Sequence, residues 1–482
     1  MDTLPAARAV EPTTGLGRLL KSIAPVKRSE VLTVALLSLN VFLLLTCYYV
    51  LKVVREPLIL LGGGAELKSY ASGGQTLLLL AVVPAFGWLQ NRVSRIRLMT
   101  TMQLIFMGCL IGFYFLYKAE APIGLAFYLW LGIFNVLVVS NFWSYANDLY
   151  TEEEGKRLFA VIGVGASIGA ILGAFVPHFL NDVLGTDGLM MLAVIGLGAS
   201  IVIYRAVDAR ERAKKEAVKA ERVAKVEPPK DKKGGFSLVM RDKYLRTLAL
   251  MLLTATIINT TGEYVIGEMA TKESEVYAAE VVAKQPAAAA PLPESTDPSA
   301  TKAPKAKDPK KVAQDAYLKA FYSSYYTWVN ILSFLLQAVA VGWIMTRIGL
   351  RKALFIMPLI VLGGWFALIL FVSMTPVRIE KTAENSLDYS LHNTLRQALF
   401  LPTSAAAKYK AKAAIDTFFF RLGDVVAGLV LVFLFVEVLG LGVRAFAVMN
   451  VCLAVCWVLL ARRAGRLHDK LAAEQQESTP AP

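Results

Sequence analysis

Charged side chains set inside apolar stretches are the residues of this sequence that could do chemistry. Lys52, Arg55 and Glu56 in TCYYVLKVVREPLILL interrupt an apolar run from Val31 to Leu61. Lys52 and Arg55, three apart, share a helix face. Asn147 and Asp148 close the run NFWSYANDLY, and Lys156 and Arg157 open the next one. Glu263 stands in an apolar stretch, with Glu268 following. RQALFLPTSAAAKYKAKAAIDTFFFRLGDVVAGLV brings Lys408, Lys410 and Lys412, then Asp416, Arg421 and Asp424. Cations so placed suit a multiply charged anion, because Arg grips phosphate bidentately and Lys acts as a point charge. Each also has a plainer reading. Lys52 and Arg55 can snorkel to the membrane edge, Arg421 and Asp424 can neutralise each other at i, i+3, and the lysine triplet can serve only to set topology.

The elements that must carry these residues are membrane helices. Of the 482 residues 56% are hydrophobic and 18% charged, with a mean hydropathy of +0.52. That composition implies an all-α polytopic membrane protein. About 12 spans can be drawn, each of about 20 residues. The first six are near 31–51, 70–89, 98–117, 122–146, 158–180 and 187–205; the second six are near 244–266, 321–346, 353–373, 387–402, 414–437 and 441–461. The tenth is the most polar, with His392, Asn393, Arg396 and Gln397, and is acceptable only if it faces a water-filled cavity.

The spans fall into two six-helix halves. Gly87 to Arg97, GWLQNRVSRIR, recurs as Gly342 to Lys352, GWIMTRIGLRK, an offset of 342 − 87 = 255 residues. A copy at so long a period marks a duplicated domain. The predicted fold is therefore two pseudo-symmetric halves, 31–206 and 244–461, related by a pseudo-two-fold. They are joined by a basic linker at 207–243, with a segment at 1–30 before them and a tail at 462–482 after. The linker opens as a mixed-charge helix-former and is broken by Pro228 and Pro229. Residues 270–316, rich in Ala, Pro, Lys and Glu, read as a disordered extracytoplasmic insertion. Lys and Arg gather before span one (Arg18, Lys21, Lys27, Arg28), after spans two, eight and ten, and in the tail. This bias places both termini in the cytoplasm. The net charge of +14 sits in connectors, so it points to anionic lipid headgroups and not to nucleic acid.

Other motifs carry packing. Gly163, Gly165, Gly169 and Gly173 form a small-residue stripe that lacks the spacing and the preceding strand of a dinucleotide fingerprint. Cys47, Cys109, Cys452 and Cys456 all lie in apolar runs and suggest neither a disulfide nor a metal site. Residues 1–30 have no short apolar core of the signal-peptide kind. His178, His392 and His468 are scattered and there is no nucleophile elbow, so no enzyme, cofactor or metal is expected.

The basic turn at Gly87–Arg97 resembles the loop between the second and third helices of major facilitator transporters, with Asn91 and Thr346 as departures and without its Asp. Longer stretches resemble the non-mitochondrial ATP/ADP translocases, the nucleotide transporters of plastids and obligate intracellular bacteria. The resemblance covers roughly 31–205 and 240–460. It rests on PTSAAAKYKAKAAIDTFFFRLG from Pro402 to Gly423, on FWSYANDLY with KRLF, and on YYVLKVVRE, where the family's basic pair is inverted. It implies a major facilitator-like nucleotide antiporter working by alternating access. Its substrate residues would be among Lys52, Arg55, Asn147, Asp148, Glu263, Lys410, Lys412 and Arg421. The base would rest on faces such as Tyr48, Tyr49, Phe142, Trp143 or Tyr145. The family tends to carry a Trp-Lys pair after its seventh-helix Glu, whereas Ile266 and Gly267 follow Glu263 here.

Two alternatives stay open. One is a proton-coupled facilitator for another anion, with Asp148 or Glu263 as the proton carrier; exchange that persists with a proton ionophore argues against it. The other is a non-transporting membrane sensor or assembly protein docked through 207–243, which loss-free deletion of that linker argues against. The location expected is a bacterial inner membrane.

Overall fold

The computed structural model describes residues 26–27, 29–90, 92–225, 235–284, 308–404 and 407–478. Arg18, Lys21, Arg28, Asn91, Pro228, Pro229 and the centre of the expected insertion, 285–307, lie outside these residues, as do the side chains of Lys156 and Lys408. The described residues are helical and contain no strand. The long helices are α1 Val31–Gln90, α2 Arg95–Lys118, α3 Gly124–Leu149, α4 Glu152–Lys225, α5 Lys243–Lys284, α6 Pro309–Ile348, α7 Leu350–Leu370, α8 Met374–Leu387, α9 Lys412–Val438 and α10 Val443–Ser478. Helix α8 runs on through a π-helical turn at Asp388–His392 into Asn393–Ala398.

Nine of these helices are long and apolar enough to cross a membrane, among the described residues. Two of the nine, α1 and α4, each hold two spans. Gly64 (φ +71°) divides α1 and Gly185 (φ +63°) divides α4, conformations that cost a glycine nothing. With the polar α8, the described residues supply the twelve helices that the hydropathy predicts. The large apolar side chains left exposed, such as Phe115, Phe179 and Ile195, are those of a surface that meets lipid rather than water.

The boundaries correct the sequence reading in three places. The first helix does not stop at residue 51 but continues to Gly62, where the glycine pair breaks it. Its 32 residues extend about 48 Å at about 1.5 Å per residue, well beyond the hydrocarbon thickness. Lys52, Arg55 and Glu56 are thus interior to it. The tenth span begins at Met374 and not near 387, because residues 374–386 are amphipathic rather than connecting. Disorder over 270–316 is too broad, since α5 reaches Lys284 and α6 starts at Pro309, capped by the Asp308 side chain accepting from the Lys310 amide.

The chain forms two compact units: 1–52, 79–121 and 130–228; and 53–78, 122–129 and 229–482. In the first unit, the glycine stripe of α4 lies on the backbone of α1. A Cβ on Gly165, Gly169 or Gly173 would fall 2.4–2.5 Å from the carbonyl oxygens of Ser38, Phe42 and Thr46. This is the close helix packing that the stripe predicts. A buried polar knot accompanies it, in which Asn40 donates to the Ser200 carbonyl and Gln103 donates to the Ser200 hydroxyl. In the second unit, Gly428 of α9 meets the Ser69 carbonyl, and Gly124 of α3 meets that of Leu58.

Candidate functional site

The second unit carries a chain of buried charges built from four helices. Residue 68 lies past the α1 glycine break, and its ammonium group is 2.9 Å from Oε2 of Glu56, before the break. Arg55 also bonds Glu56, with its guanidinium 4.3 Å from the Tyr128 ring centroid. The Tyr326 hydroxyl donates to Glu56 at 2.9 Å. Lys68 then reaches Oε2 of Glu263 on α5 at 3.3 Å.

On the other side of Glu263 is Lys381 of α8. It donates to Oε2 of Glu384 at 2.7 Å and to the Asn259 side chain at 2.7 Å, and stands 3.8 Å from Oε1 of Glu263. Asn385 and Tyr325 donate to the same Oε1, at 3.2 and 3.4 Å. Glycine makes room for the lysine: a Cβ at Gly262 would come within 2.9 Å of Lys381 Cδ and of Trp365. Along α5, threonine hydroxyls bond back to the preceding turn, as Thr261 does to the Ile257 carbonyl. Polar groups therefore enter this apolar helix without being left unpaired.

Each lysine has one fully buried carboxylate of its own, and the two share a third. Glu56 and Glu384 are essentially inaccessible, whereas the Glu263 side chain is 26% exposed. Arg55, Lys68 and Lys381 balance Glu56, Glu263 and Glu384, which is the compensation that buried charges require. The exposed middle member is the one a solute could reach and replace. Beside it stands a tyrosine cluster on α6, Tyr322, Tyr325 and Tyr326, with the Lys68 ammonium 5.2 Å from the Tyr322 ring. In chemical terms, the assembly is two fixed ammonium groups flanking a replaceable carboxylate, next to aromatic surface. Such an arrangement has the chemistry to bind an anion.

The residues singled out from the sequence distribute unevenly. Arg55 and Glu263 belong to this chain of charges. Lys52 lies in the first unit, half-buried, 5.3 Å from the Tyr49 ring. In that unit Asn147 is exposed and Asp148 half-buried, and Phe142 and Tyr145 pack against Tyr204. Lys412 of α9 pairs with Asp416 at 2.6 Å, Lys410 is half-buried two residues before it, and Arg421 sits 3.7 Å from Asp424. Sequence reasoning missed Lys68, Lys381, Glu384 and Asn385. Lys68 fell in GGGAELKSY and the others in RIEKTAENSLDYS, both taken for connectors. The available signal was Lys381, Glu384, Asn385 and Asp388 recurring at helical spacing on one face.

Eleven apolar spans and the polar α8, with a buried, self-neutralised ion cluster, define a polytopic membrane protein. The sequence matches the profile of the Major Facilitator Superfamily over residues 17–272, more than half its length, and belongs to that superfamily. It is a multi-pass integral membrane transporter. Residues 364–466 match the profile of the TLC ATP/ADP transporter family. No curated protein sequence matches the chain. Solved structures of the same fold include a POT family transporter with a thioalcohol-conjugated peptide (14% identity, 94% of this chain and 99% of that one, TM-score 0.59). A D-xylose–proton symporter (12%, 88% and 96%, 0.58) and a nucleoside transporter (12%, 91% and 99%, 0.55) are similar in the same way.

Proposed function

We propose that this transporter exchanges nucleotides of the ATP/ADP type by alternating access. The observation that carries the reading is the TLC ATP/ADP transporter match over 364–466, a stretch that contains Lys381, Glu384 and Asn385. The physical argument supports it. A nucleotide brings several negative charges into a low-dielectric site and needs fixed cations there. Lys68 and Lys381 supply two, and the phosphates compete with Glu263 for both. Arg55, Lys410, Lys412 and Arg421 add positive charge in the same unit; Lys52, Asn147 and Asp148 belong to the other. Both termini face the cytoplasm of a bacterial inner membrane, and the basic loops meet anionic lipid.

The test is the affinity of purified protein for ATP, ADP and AMP. Wild type should bind ATP most tightly. Lys68→Gln and Lys381→Gln should each lose about 1.5–3 kcal/mol, the range for a hydrogen bond to a charged group, or roughly tenfold to a hundredfold. The loss should shrink from ATP to AMP. Lys52→Gln, Arg55→Gln, Lys410→Gln and Lys412→Gln belong in the same series. Affinities unchanged across all six variants, or no nucleotide binding by wild type, overturn the reading.

A further inference from the structure

Glu380 is a fourth carboxylate beside this cluster, and nothing in the mechanism above uses it. It lies on α8 one turn before Glu384, so the two share a helix face. Glu380 is 4% exposed and Glu384 1%. One helical turn apart, the two carboxyl groups are close neighbours. Among the described residues, neither oxygen of Glu380 has a hydrogen-bond donor, and Oε1 of Glu384 has none either. Oε2 of Glu384 is taken by Lys381.

The groups facing the pair set its charge. Lys381 and Asp388 come from its own helix and the π turn that follows, Glu263 from α5, and Tyr325 from α6. Helix α7 contributes Gly364, whose Cβ would fall 2.2 Å from Glu380 Cγ, and has no titratable residue from Ile356 to Leu370. The three cations of the cluster are already matched by Glu56, Glu263 and Glu384. An ionised Glu380 would be a surplus anion, donorless and buried next to a second carboxylate, an arrangement that two like charges avoid by sharing a proton. A Glu380 hydroxyl donating to the open Oε1 of Glu384 gives that oxygen a donor and removes the surplus charge.

We propose that Glu380 and Glu384 form a proton-binding pair, holding one exchangeable proton next to the lysine that meets the solute, and that the proton is a second transported ligand. The balance is simple. A proton taken from water on one side joins the pair (–COO⁻ + H⁺ → –COOH) and leaves to water on the other, with Glu384 alternating between the shared proton and Lys381. The proposal rests on the transport reading but not on which nucleotide is carried. It also moves the proton carrier away from Asp148 and Glu263, the latter already engaged by two ammonium groups and two neutral donors.

The experiment has two arms. The first needs no solute: infrared spectroscopy of purified wild type at neutral pH should show the carbonyl band of a protonated, buried carboxylic acid, which Glu380→Gln removes. The second uses proteoliposomes, labelled ATP and a pH dye. Wild type should show uptake accelerated by an inward proton gradient, with alkalinisation of the medium. Glu380→Gln, which mimics the protonated side chain, should keep ATP binding and lose both responses. A folded Glu380→Gln that keeps the infrared band, or wild-type ATP uptake with no proton movement, overturns the proposal. Wild type that neither binds nor moves ATP fails the nucleotide reading instead, and the infrared arm then still decides whether the pair holds a proton.

Discussion

Lys68 and Glu263, 195 residues apart in sequence, meet at 3.3 Å, and this contact joins the ion cluster of the α1 glycine break to that of α8. Lys381 stands on the opposite oxygen of the same carboxylate at 3.8 Å. Glu263 is consequently the anion that Lys68 and Lys381 share. Replacing it leaves Lys68 with Glu56 and Lys381 with Glu384. Glu263→Gln should fold, lose no more than the roughly 1–3 kcal/mol of an altered charged hydrogen bond, and bind an anionic solute more tightly because the internal competitor is gone. Thermal unfolding and equilibrium binding on one preparation check both halves of that statement.

Glu56 should behave differently. It is inaccessible and serves Arg55, Lys68 and the Tyr326 hydroxyl together. Glu56→Gln strips two buried cations of their common partner. A loss of about 3–5 kcal/mol is expected, the range for breaking a buried pair from one side. A Tm close to wild type would show that the cluster carries much less of the stability than its burial implies.

How much of this was legible in the sequence depends on what hydropathy averages. The duplicated turn, the apolar runs and the glycine stripe give strong one-dimensional signals, and the helices and the α4–α1 packing follow them. Lys68 gives none, and Lys381 gives only the helical spacing that it shares with Glu384, Asn385 and Asp388. A helix face with Glu380, Lys381, Glu384 and Asn385 lowers the local average just as a connector does, and only the neighbours brought in by α5 and α6 reveal it as interior. Glu263 was legible because it stands alone among apolar residues, but its lysine partners, more than a hundred residues away on either side, were not.

The stripe allows a paired comparison. Gly169→Leu places side-chain atoms where a Cβ alone would be 2.4 Å from the Phe42 carbonyl oxygen. It should cost at least the roughly 1–3 kcal/mol of overpacking. Gly163→Ala, with nothing within 4 Å of the new Cβ, should be neutral or stabilising by up to about 1 kcal/mol of helix propensity. Equal effects of the two in thermal unfolding would contradict backbone contact as the role of the stripe.

One ion pair outside the spans predicts a pH dependence. Burial pushes the Glu30 carboxyl up, but Arg157, bonding both of its oxygens, outweighs that and holds it below the ordinary carboxylate range. A depressed carboxylate contributes stability that is complete above the unfolded-state value near 4.5 and is lost as pH falls through the folded one. The Tm difference between wild type and Glu30→Gln should therefore be constant from neutral pH down to about 5 and shrink in more acid solution. A difference that instead grows on acidification has the wrong sign for this pair.

The measurement closest to the central claim is counterflow. Purified protein in liposomes loaded with unlabelled ADP is given labelled ATP outside, with empty liposomes as the reference. The account predicts accumulation that needs both the protein and internal nucleotide, and that falls roughly tenfold or more at low substrate concentration in Lys68→Gln and Lys381→Gln. Labelled ATP that never enters, with folded protein and loaded vesicles, would contradict nucleotide exchange and leave a facilitator whose anion is of another kind.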